Sequence, residues 1–168
     1  MKKIDYQELV DSEQALQKRS IFWDPAIYEE ELKQIFNRCW LLLGHESQLP
    51  QAGDFIRTYM GEDDVIVVRG KDKVIRAFLN ACTHRGNKVC QAEGGNNTRS
   101  FTCSYHGWSY NTEGELAGVP LEKEIYDNLD RERFGLVPVA RLESYKGFLF
   151  GCFSESAPSL IEYLGDIA

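Results

Sequence analysis

Two short motifs carry the side chains best suited to chemistry: Cys82-Thr83-His84 and Cys103-Ser104-Tyr105-His106. Each supplies one thiol and one imidazole, so together they offer two of each. Two thiolates on one iron and two neutral imidazoles on another make the ligand set of a binuclear iron-sulfur centre with mixed ligation. A structural zinc site uses the same four donors in one tetrahedron. Finger-type zinc spacing, however, groups the cysteines on one element and the histidines on another, whereas each motif here mixes them. A glycine lies close behind each histidine, Gly86 after Arg85 and Gly107 directly after His106. Glycine lets the backbone approach a cofactor closely and adopt positive φ where a turn needs it.

The flanking sequence has the period of strands. Residues 54–60, 65–69 and 74–79 alternate or are β-branched, and Gly61-Glu62-Asp63 and Gly70-Lys71-Asp72 separate them as turns, so a meander delivers the first motif. Residues 91–97, rich in Gly and Asn, form a turn before a short strand at 99–102 that enters the second motif. Residues 107–110 leave that motif, Asn111-Thr112-Glu113-Gly114 turns, and 115–119 return. The charged stretch 120–134 reads as weakly helical, solvated surface. Strands at 137–143 and 147–153 close the sheet, and residues 158–164 begin a helix.

Ahead of the meander, residues 1–22 form a polar arm anchored through Leu9, Val10, Leu16 and Ile21. Asp24-Pro25 starts a helix over residues 25–38. Leu32, Ile35, Phe36 and Cys39 give it one apolar face. Trp40-Leu41-Leu42-Leu43 reads as a buried strand stopped by Gly44. The fold class is therefore mainly β: an antiparallel β domain with both motifs on hairpin loops, preceded by an N-terminal helix.

With 168 residues and 43% hydrophobic content, the chain can bury a core without disulfides. A net charge of −7 argues against nucleic acid or an anionic membrane as partner. No stretch approaches the roughly 18 apolar residues of a spanning helix, and Met1-Lys2-Lys3 leads into Asp5 and Glu8 rather than an apolar leader. A cytoplasmic location is expected. Of five cysteines, Cys39, Cys90 and Cys152 lie outside the motifs, an odd set that reads as reduced, buried thiols.

The segments Asn80-Ala81-Cys82-Thr83-His84-Arg85-Gly86 and Phe101-Thr102-Cys103-Ser104-Tyr105-His106-Gly107-Trp108 resemble the N-terminal Rieske domain of the large (α) subunit of bacterial aromatic ring-hydroxylating dioxygenases, the naphthalene, biphenyl, toluene and phenylpropionate type. The resemblance extends to Trp40-Leu41-Leu42-Leu43-Gly44-His45-Glu46 and Tyr163-Leu164-Gly165-Asp166. It implies a Rieske-type iron-sulfur protein fold over residues 40–155, an arm and helix at 1–39 that pack on the catalytic part, and a linker from 156 onward. It further implies that Cys82 and Cys103 hold the iron that stays ferric, and that His84 and His106 hold the iron that changes valence. Arg85, Gly86, Tyr105, Gly107 and Trp108 would support the centre or meet a partner. Arg85, Lys88 and Arg99 could steer an acidic electron donor or be plain solvated charges.

Respiratory Rieske proteins place a cysteine where this chain has Asn87 and Tyr105, and a serine where it has Trp108. The absence of those groups implies a potential at the low end of the Rieske range, roughly −150 mV. In the dioxygenases a further domain holds a mononuclear iron with two histidines and a carboxylate. This chain has three histidines, of which His45 alone lies outside the motifs, so the oxygen chemistry is expected elsewhere. The resemblance implies a ferredoxin or flavin reductase as donor, NADH as ultimate reductant, the catalytic domain of a neighbouring α subunit as acceptor, a β subunit, and a homo- or hetero-oligomer. A free-standing Rieske-type ferredoxin is the alternative.

Overall fold

The structure, a computed structural model, describes residues 4–168. Near the N-terminus β1 (Val10–Asp11) and β2 (Leu16–Gln17) form a minimal hairpin. Val10 and Leu16 are more than half exposed, so within this chain they do not anchor the arm; Leu9 and Ile21 are half-buried. Helix α1 (Pro25–Glu31) opens with the Asp24 carboxylate accepting from the Ala26 N–H at 2.9 Å. It continues as a π-helical turn over Leu32–Phe36, in which the Asn37 N–H reaches back to the Leu32 carbonyl. The wider turn breaks the expected helical phase: Leu32, Phe36 and Cys39 are half-buried but Ile35 is 47% exposed.

Strand β3 (Leu41–His45) runs through Gly44 instead of stopping there. Gly44 is extended, and a side chain on it would meet Ile56 Cδ1 at 2.6 Å. The glycine makes room for packing and does not end the strand. Next come β4 (Phe55–Met60), β5 (Asp63–Arg69), β6 (Ile75–Leu79) and β7 (Gly94–Gly95), joined in the order β6-β5-β4-β7. Strands β8 (Ser100–Thr102), β9 (Ser109–Asn111) and β10 (Leu116–Gly118) form a second antiparallel sheet. After the short helix α2 (Glu122–Ile125), β11 (Arg141–Tyr145) and β12 (Phe148–Cys152) build a third sheet with β3, and α3 (Leu160–Leu164) follows.

The expected strand at 137–143 divides between two sheets. Leu79 and Val139 N–H groups pair with the carbonyls of Val137 and Ala77, alongside β6, before the chain crosses to β11. A Pro138 with no N–H suits the crossing point.

The four-stranded sheet is covered on both faces, which explains the β-branched run in β5. Ile66 and Val68 join Phe78, Phe101, Trp108 and Tyr110 beneath the two motifs. Val65 and Val67 join Leu43, Met60 and Leu149 against the β3 sheet. All four β5 residues are fully buried. The stretch 120–134 is not plain surface: its charges are outside, but Tyr126, Leu129 and Phe134 pack onto the core under the motifs. Among the described residues, no helix is long and apolar enough to cross a membrane.

Candidate metal centre

The two motifs fold as the same turn. In the first, the Cys82 N–H donates to the Asn87 carbonyl at 2.8 Å and the Gly86 N–H to the Cys82 carbonyl at 2.7 Å. In the second, the Cys103 N–H donates to Trp108 at 2.8 Å and the Gly107 N–H to Cys103 at 3.0 Å. Gly86 and Gly107 have φ of 73° and 72°, the left-handed region that glycine enters without strain. Both glycines lie four residues after their cysteine, so Asn87 and Trp108 hold equivalent positions although the histidines do not.

Each loop is tied at its base by side chains. The first leaves β6 through Asn80, which is 3% exposed. Its Oδ1 accepts from Val89 and Cys90 N–H at 3.1 and 2.9 Å, and its Nδ2 donates to the Cys90 carbonyl at 2.7 Å and Asp64 Oδ1 at 3.1 Å. The amide thereby closes the neck of the loop. Asp64 holds the loop a second time, through Lys88 Nζ at 2.7 Å, with Arg57 3.7 Å away on its other side. Lys88, Arg85 and Arg99 are all exposed, but Lys88 is paired with Asp64.

The loop tips bring the four donors together in pairs. The thiols of Cys82 and Cys103 are 3% and 2% exposed. The His84 and His106 rings lie 4.7 Å apart, centroid to centroid. Trp108, 3% exposed, stacks on His84 at 4.8 Å with the planes 8° apart, and Tyr105, 59% exposed, stacks on His106 at 3.9 Å. Trp108 thus lies inside, whereas Tyr105 and His106 face outward. His45 is elsewhere: its Nδ1 meets Ser47 and its ring meets Phe148 edge-on.

The electrostatics suit ligands. Burial, then the neighbouring His106 and Arg85, pushes the His84 imidazole down toward its neutral form. Its Nδ1 is buried with no hydrogen-bond partner. An orphaned buried nitrogen is costly unless a metal takes its lone pair. Burial opposes ionisation of Cys103, yet the Tyr105 backbone and the Asn87 side chain pull it down on balance. The Tyr110 hydroxyl lies 3.2 Å from Cys82 Sγ, and burial together with that contact pushes the phenol up to about 12, keeping it a donor. Thr83 steadies Tyr110: its N–H donates to the phenol oxygen at 3.2 Å, and its own hydroxyl donates to the Phe134 carbonyl at 2.7 Å. Among the described residues, no three His, Cys, Asp or Glu side chains are grouped to hold one ion. Two pairs, one sulfur and one nitrogen, fit a two-iron cluster better than a tetrahedral zinc.

Asn80, Tyr110, Asn87 and Asp64 carry much of this arrangement and went unassigned from the sequence, where isolated polar residues have no periodic signature. The equal four-residue step from cysteine to glycine was the available signal that the two loops are the same turn.

Residues 39–145 match the family profile of the Rieske (2Fe-2S) domain. The chain is 51% identical over 162 residues to biphenyl 2,3-dioxygenase subunit alpha of Rhodococcus jostii RHA1, covering 96% of this chain and 35% of that protein. It is 48% identical over 164 residues to the large oxygenase component of the naphthalene 1,2-dioxygenase system of a Ralstonia species, covering 97% and 36%. Naphthalene 1,2-dioxygenase solved with indole in its active site superposes with a TM-score of 0.87 at 48% identity, over 95% of this chain and 36% of that one. The chain spans about a third of the length of these relatives. On the profile match over most of its length and the paired donors at its loop tips, the chain belongs to the Rieske 2Fe-2S domain family.

Proposed function

We propose that the chain is the electron-relay part of a ring-hydroxylating dioxygenase large subunit, with Cys82 and Cys103 on one iron and His84 and His106 on the other. The observation that carries this reading is the orphaned, buried Nδ1 of His84 beside two buried thiols on matched loops. When bound, the cluster supplies one-electron redox chemistry. The chain's own residues hold and insulate it. Tyr110 and Asn87 each aim a donor at one ligand sulfur, Trp108 seals the His84 side, and His106 with Tyr105 offers the outward edge.

The similarity to large oxygenase components along the arm and tail, and not only at the motifs, supports this role over a free-standing ferredoxin. Residues 1–39 then serve as the packing arm, 40–155 as the relay and 156–168 as the link to catalytic sequence. The donor is a ferredoxin or flavin reductase drawing on NADH. The acceptor is a mononuclear iron in the catalytic domain of a neighbouring α subunit, alongside a β subunit, and the substrate is an apolar aromatic ring that is cis-dihydroxylated. Stopped-flow mixing with an NADH-reduced dioxygenase ferredoxin should bleach the visible band, without oxygen uptake when biphenyl or naphthalene is added. Oxygen uptake by this chain alone, or no reduction by any such donor, would refute the relay.

A further inference from the structure

We infer that Asn87 is a potential-setting and positioning residue: its side-chain amide crosses from the first ligand loop to the second and donates to the sulfur of Cys103. The inference rests on the cluster reading above and adds a residue to it. Asn87 Nδ2 lies 3.6 Å from Cys103 Sγ, 3.3 Å from Ser104 Oγ and 3.2 Å from the Lys88 carbonyl. Two of these three acceptors belong to the opposite loop. The amide therefore spans a gap that backbone bonds, which close each loop on itself, leave open.

Each ligand sulfur has one side-chain donor group from outside its own turn, and Cys103 also draws on the backbone of Tyr105 and His106. The Tyr110 hydroxyl lies 3.2 Å from Cys82 Sγ, shared with Thr83 Oγ1 at 3.0 Å, and Asn87 Nδ2 lies at a longer distance from Cys103 Sγ. An N–H aimed at a thiolate favours whichever oxidation state holds more negative charge on the sulfur, which is the reduced one, and so raises the potential. The amide nitrogen has only two hydrogens for its three acceptors. Ser104 and the Lys88 carbonyl therefore compete with the sulfur, and removing Ser104 should direct more of the donor to it. Asn87 occupies the turn position that Trp108 fills in the second loop. One loop thus uses that position to stack on a ligand imidazole and the other to reach a ligand sulfur.

The test is the midpoint potential of the purified, cluster-bearing chain, read as the oxidised-to-reduced ratio against a fixed dye. Asn87→Leu removes the donor at similar volume. Asn87→Asp keeps the shape and replaces the N–H group with a carboxylate oxygen. Both should move the ratio toward oxidised, Leu by about threefold and Asp by about tenfold, the latter being about 59 mV for one electron. Ser104→Ala should move it the opposite way, and it decides the matter if the Asn87 variants fail to retain iron. Potentials of the Asn87 variants within twofold of wild type would overturn the inference, as would a Ser104→Ala shift toward oxidised. A role in folding alone would lower melting temperature without that order of potentials and would equally overturn it. A wild-type chain that binds no iron overturns the functional reading itself, and this inference with it.

Discussion

Replacing Asn80 with alanine removes the clasp at the neck of the first ligand loop, and its cost can be worked from the bonds it makes. The amide is buried and uses both hydrogens and two acceptor positions, on Val89, Cys90 twice and Asp64. A hydrogen bond contributes about 1 kcal/mol net, and a buried N–H left without an acceptor costs about 1–3 kcal/mol. Val89 and Cys90 are themselves buried, so both orphaned N–H groups are in that situation. Because the four bonds share one side chain they do not add fully, which leaves about 3–5 kcal/mol. At about 2–4 °C per kcal/mol for a chain of this size, Asn80→Ala should lower the melting temperature by about 6–20 °C. Far-ultraviolet circular dichroism and visible absorption, followed in one melt, should show the colour fading no later than the fold. A melting point within about 2 °C of wild type would mean that the loop neck is held by something other than the amide.

Other consequences follow from the same geometry. Tyr110→Phe removes the donor nearest Cys82 Sγ and should lower the midpoint potential by on the order of 40 mV, from about 1 kcal/mol of differential stabilisation; an unchanged or raised potential would contradict the assignment. Gly86→Ala should cost about 1–2 kcal/mol, since its φ is positive but nothing lies within 4 Å of the added carbon. Gly107→Ala should cost clearly more, because the same carbon would sit 2.8 Å from the Pro120 ring; equal losses in chemical denaturation would refute the difference. The hydrogen bond from Arg76 pulls the Asp72 carboxyl from 3.8 down to about 2. The pair therefore contributes stability above about pH 4, and that contribution fades as pH falls toward 2. The advantage of wild type over Asp72→Asn in urea midpoints should shrink in that window, and should be small throughout because the pair is exposed.

Much of the scaffold is legible without coordinates because it follows from period and turn chemistry. The meander around the Gly61 and Gly70 turns appears as read, with ends shifted by a residue or so. The mixed Cys-His motifs do fall on adjacent loop tips. What escaped depends on distance. Gly44 looks like a stop but is a strand residue cleared for Ile56. Tyr126, Leu129 and Phe134 stand singly among charged residues in a stretch that forms only short helical turns, so their packing under the motifs is invisible in one dimension. Lys88 reads as a free charge until Asp64, far back in sequence, is found 2.7 Å away. Trp108 could have supported the centre or met a partner, and its 3% exposure and stacking on His84 place it inside.

Cys82, His84, Cys103 and His106 are assigned here to a two-iron cluster. Iron and acid-labile sulfide analysis of the purified chain, with an electron paramagnetic resonance spectrum after dithionite reduction, tests this assignment most directly. Two irons and two sulfides per chain are expected, with a signal confined to the reduced state. Single replacement of either cysteine by alanine should abolish both the iron content and the signal. A colourless protein with one zinc per chain, or a cluster that survives loss of Cys82, would contradict it.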